Sequence, residues 1–398
     1  MADTTRKSRT DQSQETDERI ARAAIELVNE VGPDLFTVTE LARRIGLTTG
    51  AVYRRFDSGD DILKAIWCDC WSSLRGFAEA SYFGNSRSES EFDVAVSEFV
   101  KPSSKARAAA LILTCSRRLA LIHQPVKDDV WQFCSPTEGT DPVEMGLRFS
   151  SLSLALGRCL LSEVVTVDSD AIREISCAMI GTPSPHELVR VDSSPRIYEL
   201  VNQAQIDADL LIAGVSLISQ VGFEGTTASR IARETSRPFS QFDKQFGSKI
   251  RLMERLVESL IPPVLDFENQ MRDAQGPVDS LAAMKSWNAV ENSTVRKLVA
   301  EIVLVANVRE PIRNLVAAKL TSRAQVLSDL GVEGIGLVRG AWHFGSAYFV
   351  GMSTLGLLVP TGDMDFSGAV TALISMRDLV VEAVTARFPG APPAPQVL

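Results

Sequence analysis

The segment "TVTELARRIGLTTGAVYRRFDSGDDIL", residues 37 to 63, is partly repeated without a gap 190 positions later, at residues 227 to 253, with five residues identical. Thr37 pairs with Thr227, Ala42 with Ala232, Arg43 with Arg233, Phe56 with Phe246 and Ser58 with Ser248, and upstream Gly32 pairs with Gly222. Where identity fails, apolar character persists: Ile62 and Leu63 face Leu252 and Met253. A weaker echo links "QPVKDDV" at 124 with "EPIRNLV" at 310. Such a pattern implies repeated domains, and a length of 398 residues suits two units better than one.

Apolar residues recur at steps of three and four along most of the chain and alternating runs are scarce, so an all-α fold is expected. Residues 17–31 read as a first helix, with Ile20, Ala23, Ala24, Leu27, Val28 and Val31 on one side and Gly32 and Pro33 closing it. Thr37 caps the next helix, and Glu40 three residues later completes a capping box. Gly46 ends that helix. Thr48 or Thr49 starts a short one that turns Val52 and Phe56 inward, and Ser58 opens a longer one whose positive end suits Asp60 and Asp61. Further on, an apolar pair of helices is expected at about 142–163 and 169–180, and "GTPSPHELVRVDSSP", residues 181 to 195, reads as a linker.

Two short helices joined by a glycine turn describe a helix-turn-helix, whose second helix enters the major groove of DNA. Val38, Leu41, Ala42, Ile45, Val52 and Phe56 would pack the corner, leaving Thr37, Arg43, Arg44, Thr48, Thr49, Tyr53, Arg54 and Arg55 outside. Four arginines against Glu40 give residues 37–56 a charge of +3 on a protein of net charge −9. The molecule as a whole repels phosphate, so a compact basic patch is the footprint expected of duplex binding. Hydroxyls at the helix start can reach base edges while Arg and Tyr hold the backbone. In the second copy Thr227, Arg233, Arg237, Ser240, Lys244 and Lys249 are the matching candidates. There Ser236 replaces the turn glycine and Asp243 replaces the tyrosine; an aspartate repels phosphate, so binding is weakened or redirected.

The first helix, "TVTELARRIGLTTGAVYRRF" and "SGDDIL" together resemble, over residues 17 to 65, the DNA-binding domain of the TetR family of bacterial transcriptional regulators. The resemblance implies an all-helical protein whose first three helices bind DNA, followed by a helical domain that pockets a small ligand and dimerises through its last two helices. It implies Thr37 and Tyr53 as phosphate contacts, with Thr48, Thr49 and Gly50 at the exposed start of the recognition helix. A lysine usually follows the serine that opens the fourth helix; Gly59 stands there in the first copy, and Lys249 keeps it in the second.

On this resemblance the chain divides into a disordered basic arm (1–16), a first head (17–65), a helical regulatory domain (66–180), a linker and helix extension (181–205), a second, degenerate head (206–255), a second regulatory domain (256–388) and a disordered tail (389–398). The expected function is a repressor that binds double-stranded operator DNA and is released by a small ligand. Helices near 142–180 would pack on those near 335–388 as an intrachain pseudo-dimer, a homodimer of the full chain being the other arrangement. The rival reading is a ligand-binding co-regulator with little DNA affinity of its own. The arm, with Arg6, Lys7 and Arg9, is a candidate minor-groove contact.

For the effector, an apolar or aromatic molecule, candidate pocket residues are Cys115, His123, Trp131 and Phe133 in the first body and Trp287, Trp342, His343 and Tyr348 in the second, although core packing is the commoner role for such side chains. No H-E-x-x-H, G-x-S-x-G, Walker lysine or zinc-finger spacing occurs, so neither enzyme activity, metal nor cofactor is expected. "GIGLVRG", 334 to 340, mimics a dinucleotide loop, but its spacing is wrong and no strand precedes it; its glycines suit close helix packing. Residues 340–362 carry no charge and are long enough to span a bilayer. The corresponding stretch of the first half keeps Arg148, Arg158 and Glu163, which lipid would penalise, so a helix buried at an interface is expected in both. The amino terminus lacks an apolar signal core and the cysteines form no C-x-x-C, which points to buried thiols in the reducing cytoplasm.

Overall fold

The computed structural model describes residues 9–81, 89–180, 208–258, 287–288, 292–329 and 336–387, and every regular element among them is helical. The expected linker, the arm up to residue 8, the terminal tail and part of the second regulatory segment lie outside the described residues. The first half runs α1 (Arg9–Val31), α2 (Val38–Arg44), α3 (Thr49–Tyr53), α4 (Gly59–Ala80), α5 (Glu89–Val100), α6 (Ser104–Cys115), α7 (His123–Cys134), α8 (Pro142–Leu161) and α9 (Ser169–Ile180). The second runs α10 (Ala208–Gly225), α11 (Ala228–Glu234), α12 (Phe239–Phe246), α13 (249–258), α14 (Ser293–Val308), α15 (Glu310–Asp329), α16 (Gly336–Leu355) and α17 (Ser367–Arg387).

Helix α1 begins at Arg9, ahead of the expected start at residue 17, so residues 9–16 are helical rather than a disordered arm. The apolar stripe begins only at Ile20. Before it the helix is carried by residues of good propensity such as Gln14 and Glu15, and by Ser13 and Asp17 bonding the Arg55 guanidinium. The boundary expected at residue 65 falls inside α4, which leaves the head and continues into the body, packing on α6 and α8. Trp67 and Trp71 stack along it at 5.5 Å, and the Trp67 indole donates to Asp129 on α7 at 2.6 Å.

The head at each end sits on a buried helix of its own half, α1 on α6 and α10 on α14. The halves meet chiefly where α16 lies across α8 and α9, with α17 flanking α8 and α9. Small residues permit this crossing. A Cβ added to Gly157 would stand 1.7 Å from the Ala347 carbonyl oxygen, and one on Gly351 would stand 1.7 Å from that of Ser153. Gly336 and Gly340 likewise abut Glu174 and Ala171, so the glycines of "GIGLVRG" that are described serve packing.

Around the crossing, Phe99 stacks on Phe344 at 4.6 Å, the Tyr348 and Ser150 hydroxyls are 3.2 Å apart, and Arg339 pairs with Asp168 at 2.8 Å. Asn307 on α14 donates to the Leu160 carbonyl at 2.7 Å and accepts from Arg107 at 3.0 Å, so a polar bridge spans the two halves. The uncharged stretch read as an interface helix is therefore largely α16, buried along most of its length. Among the described residues no helix is long and apolar enough to cross a membrane. Cys70, Cys115, Cys134 and Cys159 are buried, and burial pushes the Cys70 and Cys134 thiols up to about 12; Cys68 and Cys177 are exposed.

Candidate nucleic-acid interface

Each head is built by the same local chemistry. Gly32 leaves α1 at φ 78°, and Gly222 breaks α10 at φ 77°. Thr37 and Thr227, both in extended backbone, cap the next helix by accepting from the N–H of Glu40 and Arg230, each at 3.2 Å. The capping box is only half made in the first head: the Glu40 carboxylate turns to Arg43, which bonds it through Nε at 2.9 Å and Nη2 at 2.5 Å. That contact, ahead of the Arg43 and Arg44 charges, holds the Glu40 carboxyl below its ordinary range.

The turn then needs a left-handed residue. Gly46 supplies it at φ 67°, and the N–H of Leu47 returns to the Ala42 carbonyl at 2.9 Å. Ser236 takes the same place at φ 54°, a conformation in which its Cβ costs about 1–2 kcal/mol, and Arg237 returns to Ala232 at 3.0 Å. Thr48 caps α3 through the Ala51 N–H at 3.1 Å, whereas α12 starts after Pro238 with no side-chain cap. Leu41, Ala42 and Val52 are buried in the first corner, Ile231, Ala232 and Phe242 in the second.

The outward face of the first head holds Thr37, Arg43, Thr48, Gly50, Tyr53 and Arg54, all exposed, with Thr49 half-buried beside them. Tyr53 is 52% exposed at the end of the recognition helix, an unusual position for so large a ring unless something covers it. Arg54 leans on its own helix, its Nε 3.3 Å from the Gly50 carbonyl. The other arginines differ. Arg44 pairs with Glu30 at 2.6 Å and Arg55 with Asp17, both carboxylates on α1, and Arg19 of α1 donates to the Ile45 carbonyl at 2.9 Å. These contacts clamp α1 to the helix-turn-helix and cancel part of the +3 counted along the segment. Arg43, whose side chain is 73% exposed, is held only by a surface pair, of a kind worth about 0–1 kcal/mol and readily exchanged for phosphate.

Residues 20–66 match the family model of bacterial regulatory proteins, tetR family. No curated protein matches the chain. The tetR-family match runs from the apolar part of α1 into the first turns of α4, so it covers the face just described and the helices that hold it.

The second head lies outside that match and presents a different surface. Thr227, Arg233, Ser240 and Lys244 are exposed, but Arg237 is drawn to Asp209 at 2.7 Å. Lys249 points inward: its Nζ donates to the Phe223 carbonyl at 2.8 Å, lies 3.5 Å from Glu224 and sits 4.1 Å from the Phe223 ring centroid. Phe239 was not foreseen as part of this face. It is 50% exposed at the position of Thr49, a placement legible from the repeat alignment.

The candidate effector residues are spread widely. Cys115 is buried beside Arg118, His123 opens α7, Trp131 is exposed, and Phe133 meets the edge of Trp71 at 6.3 Å. Trp287 is buried against Phe349 and donates to Ser353 at 3.1 Å; Trp342 meets the edge of His343; Tyr348 bonds Ser150. Burial, with Arg158 beside it, pushes His343 down to about 4. A cleft of about 360 Å³ beside the second head is lined by Gln245, Phe246, Arg251, Glu254, Arg255 and Glu258, none of these eight.

One cluster links both heads and was not anticipated at all. The Arg118 guanidinium, after α6, binds Asp34 of the first head and Glu301 of α14, and the other oxygen of Glu301 accepts from the Phe223 N–H of the second head at 3.0 Å. Burial raises the Glu301 carboxyl above its ordinary range, against the opposing pull of Arg118 and that N–H.

Proposed function

We propose that the protein is a tetR-type transcriptional repressor that grips operator DNA with its first head and is released when a small ligand binds the helical body. The observation that carries the reading is the exposed Thr37, Thr48, Tyr53 and Arg54 face on a rigid corner within the tetR-family match. The packing of α8 and α9 against α16 and α17 supports the two units acting as an intrachain pseudo-dimer, because those are the last two helices of each half. The second head, with Lys249 turned inward, an exposed Phe239 and Asp243 in place of the tyrosine, favours an asymmetric operator over a palindrome.

The test is a fluorescence-anisotropy titration with DNA from upstream of the gene. Tyr53→Ala with Arg54→Ala is expected to lower affinity at least tenfold while the far-ultraviolet circular dichroism stays unchanged. Unaltered affinity in that variant overturns the assignment of the face, and no binding of wild type at low salt favours the co-regulator reading. Light scattering after gel filtration addresses the pseudo-dimer: a mass near 43.3 kDa is expected, and a stable mass of twice that opposes it.

A further inference from the structure

In each head the bend after the first helix is made by a left-handed glycine, Gly32 at φ 78° and Gly222 at φ 77°. Both bends are met by the opposite half. A Cβ on Gly32 would stand 3.3 Å from Val308 at the end of α14, and one on Gly222 would stand 2.8 Å from the Arg118 guanidinium carbon just after α6. Arg118 and Val308 are themselves 190 positions apart, the offset of the repeat. One contact is therefore made twice, each half bracing the other's head, as a two-fold interface requires.

The two braces differ in chemistry. Val308 brings an apolar side chain, whereas Arg118 brings a guanidinium that is anchored on several sides. It binds Asp34 of the first head and Glu301 of α14, and it donates to the Cys115 sulfur at 3.4 Å. Glu301 in turn accepts from the N–H of Phe223, the residue after the Gly222 bend, at 3.0 Å. An unbroken chain of contacts thus runs from a side chain of one head to the backbone of the other.

Asp34 and Glu224 also share the repeat offset, and each is paired with an arginine that follows the buried helix of its own half, Arg118 for the first and Arg309, at 2.8 Å, for the second. Arg118 does this and crosses to the other half as well. The crossing is sheltered from solvent, with the Glu301 side chain 2% and that of Arg118 16% exposed, so salt screens it far less than the surface pairs.

We infer that Arg118 and Glu301 are positioning residues that join the two heads into one body and so fix the separation and angle at which their recognition helices meet DNA. Contact by the first head then decides where the second lands, because a stiff connection concentrates it at one spacing and excludes the rest. This consequence for DNA rests on the repressor reading and on the second head reaching the duplex; the joining of the heads rests on the contacts alone.

The variant that isolates this role is Arg118→Met with Glu301→Gln, which removes the ionic tie, leaves an acceptor for the Phe223 N–H and strands no buried charge. Spin labels on Thr39→Cys and Ser229→Cys, both exposed and at equal repeat positions on α2 and α11, report the separation of the heads by pulsed dipolar spectroscopy without DNA. The exposed Cys68 and Cys177 are replaced by Ser in every sample. At equal circular dichroism, wild type is expected to give one narrow distance distribution and the double variant one at least about 1.5-fold wider. Arg75→Gln, which breaks a surface pair on α4, is expected to leave the width unchanged. Equal widths in wild type and double variant, or a wild-type distribution as broad as the variant's, overturn the inference.

A second arm uses the operator. Footprinting locates the segments contacted, and one base pair inserted between them shifts one from the other by about 3.4 Å and about 35°. Wild type is expected to lose at least about tenfold in affinity and the double variant less than about threefold, while equal losses overturn the positioning role. A footprint confined to one segment overturns the two-headed grip instead, and the label distances still decide whether the heads are joined.

Discussion

Replacing Arg118 by Met strips the charge from the link between the heads while keeping much of its volume. Glu301, 2% exposed, then keeps the Phe223 N–H as its one hydrogen-bond donor among the described residues. Removing one member of a buried pair costs about 3–5 kcal/mol, whereas the loss at Asp34, whose side chain is 24% exposed, adds less than about 1 kcal/mol. The cost should depend on pH. A carboxyl whose folded-state pKa is raised contributes stability that is present below its unfolded value and lost as pH rises through the folded value. Arg118→Met raises Glu301 further, so the variant is expected to be most damaged at pH 8 and to regain stability toward pH 5, at up to about 1.4 kcal/mol per pH unit. Adding Glu301→Gln keeps the acceptor for Phe223 and removes the charge, which should restore all but about 1 kcal/mol and abolish the extra pH dependence. Urea unfolding followed by circular dichroism at pH 5, 6.5 and 8, at constant ionic strength, measures all three proteins. A single-variant loss below about 1 kcal/mol at pH 8, or one that does not shrink toward pH 5, refutes the account.

Three further outcomes follow from geometry. Ser236→Gly relieves the left-handed strain in the second head and should raise stability by about 1 kcal/mol in the same unfolding assay, while Gly46→Ala should lower it by a similar amount. Gly351→Leu forces a side chain into the Ser153 backbone and should cost at least about 1–3 kcal/mol, splitting the calorimetric melt as the halves uncouple; a single unshifted peak would contradict the crossing. Arg43→Ala should reduce the salt slope of DNA binding by about one unit, whereas Arg55→Ala, whose guanidinium is held by Asp17, should leave the slope unchanged and lower the melting temperature instead.

The helical character, the caps at Thr37, Thr48 and Ser58 and the turn at Gly46 were legible because each depends on a few neighbouring residues. The fates of the arginines were not. Arg44 and Arg55 stand beside Arg43 and Arg54 in sequence, and only the docking of α1 brings Glu30 and Asp17 to two of them and not to the others. A charge counted along a segment cannot see a carboxylate arriving from another helix. The Arg118 cluster was hidden for the same reason, since its members lie at 34, 118, 223 and 301. Conversely, the uncharged stretch after residue 340 was correctly read as buried, because its first-half counterpart keeps charges that water or a protein interior can accommodate and a lipid interior cannot.

Because α8 and α16 belong to one polypeptide, their union is a unimolecular event. Two separate subunits would come apart on dilution, at a few copies per cell; tethered ones do not, so the affinity of this assembly for its own other half is independent of how much of it is made. Inside that single chain the two bends are held by different residues in the same left-handed backbone, Gly46 in one and Ser236 in the other.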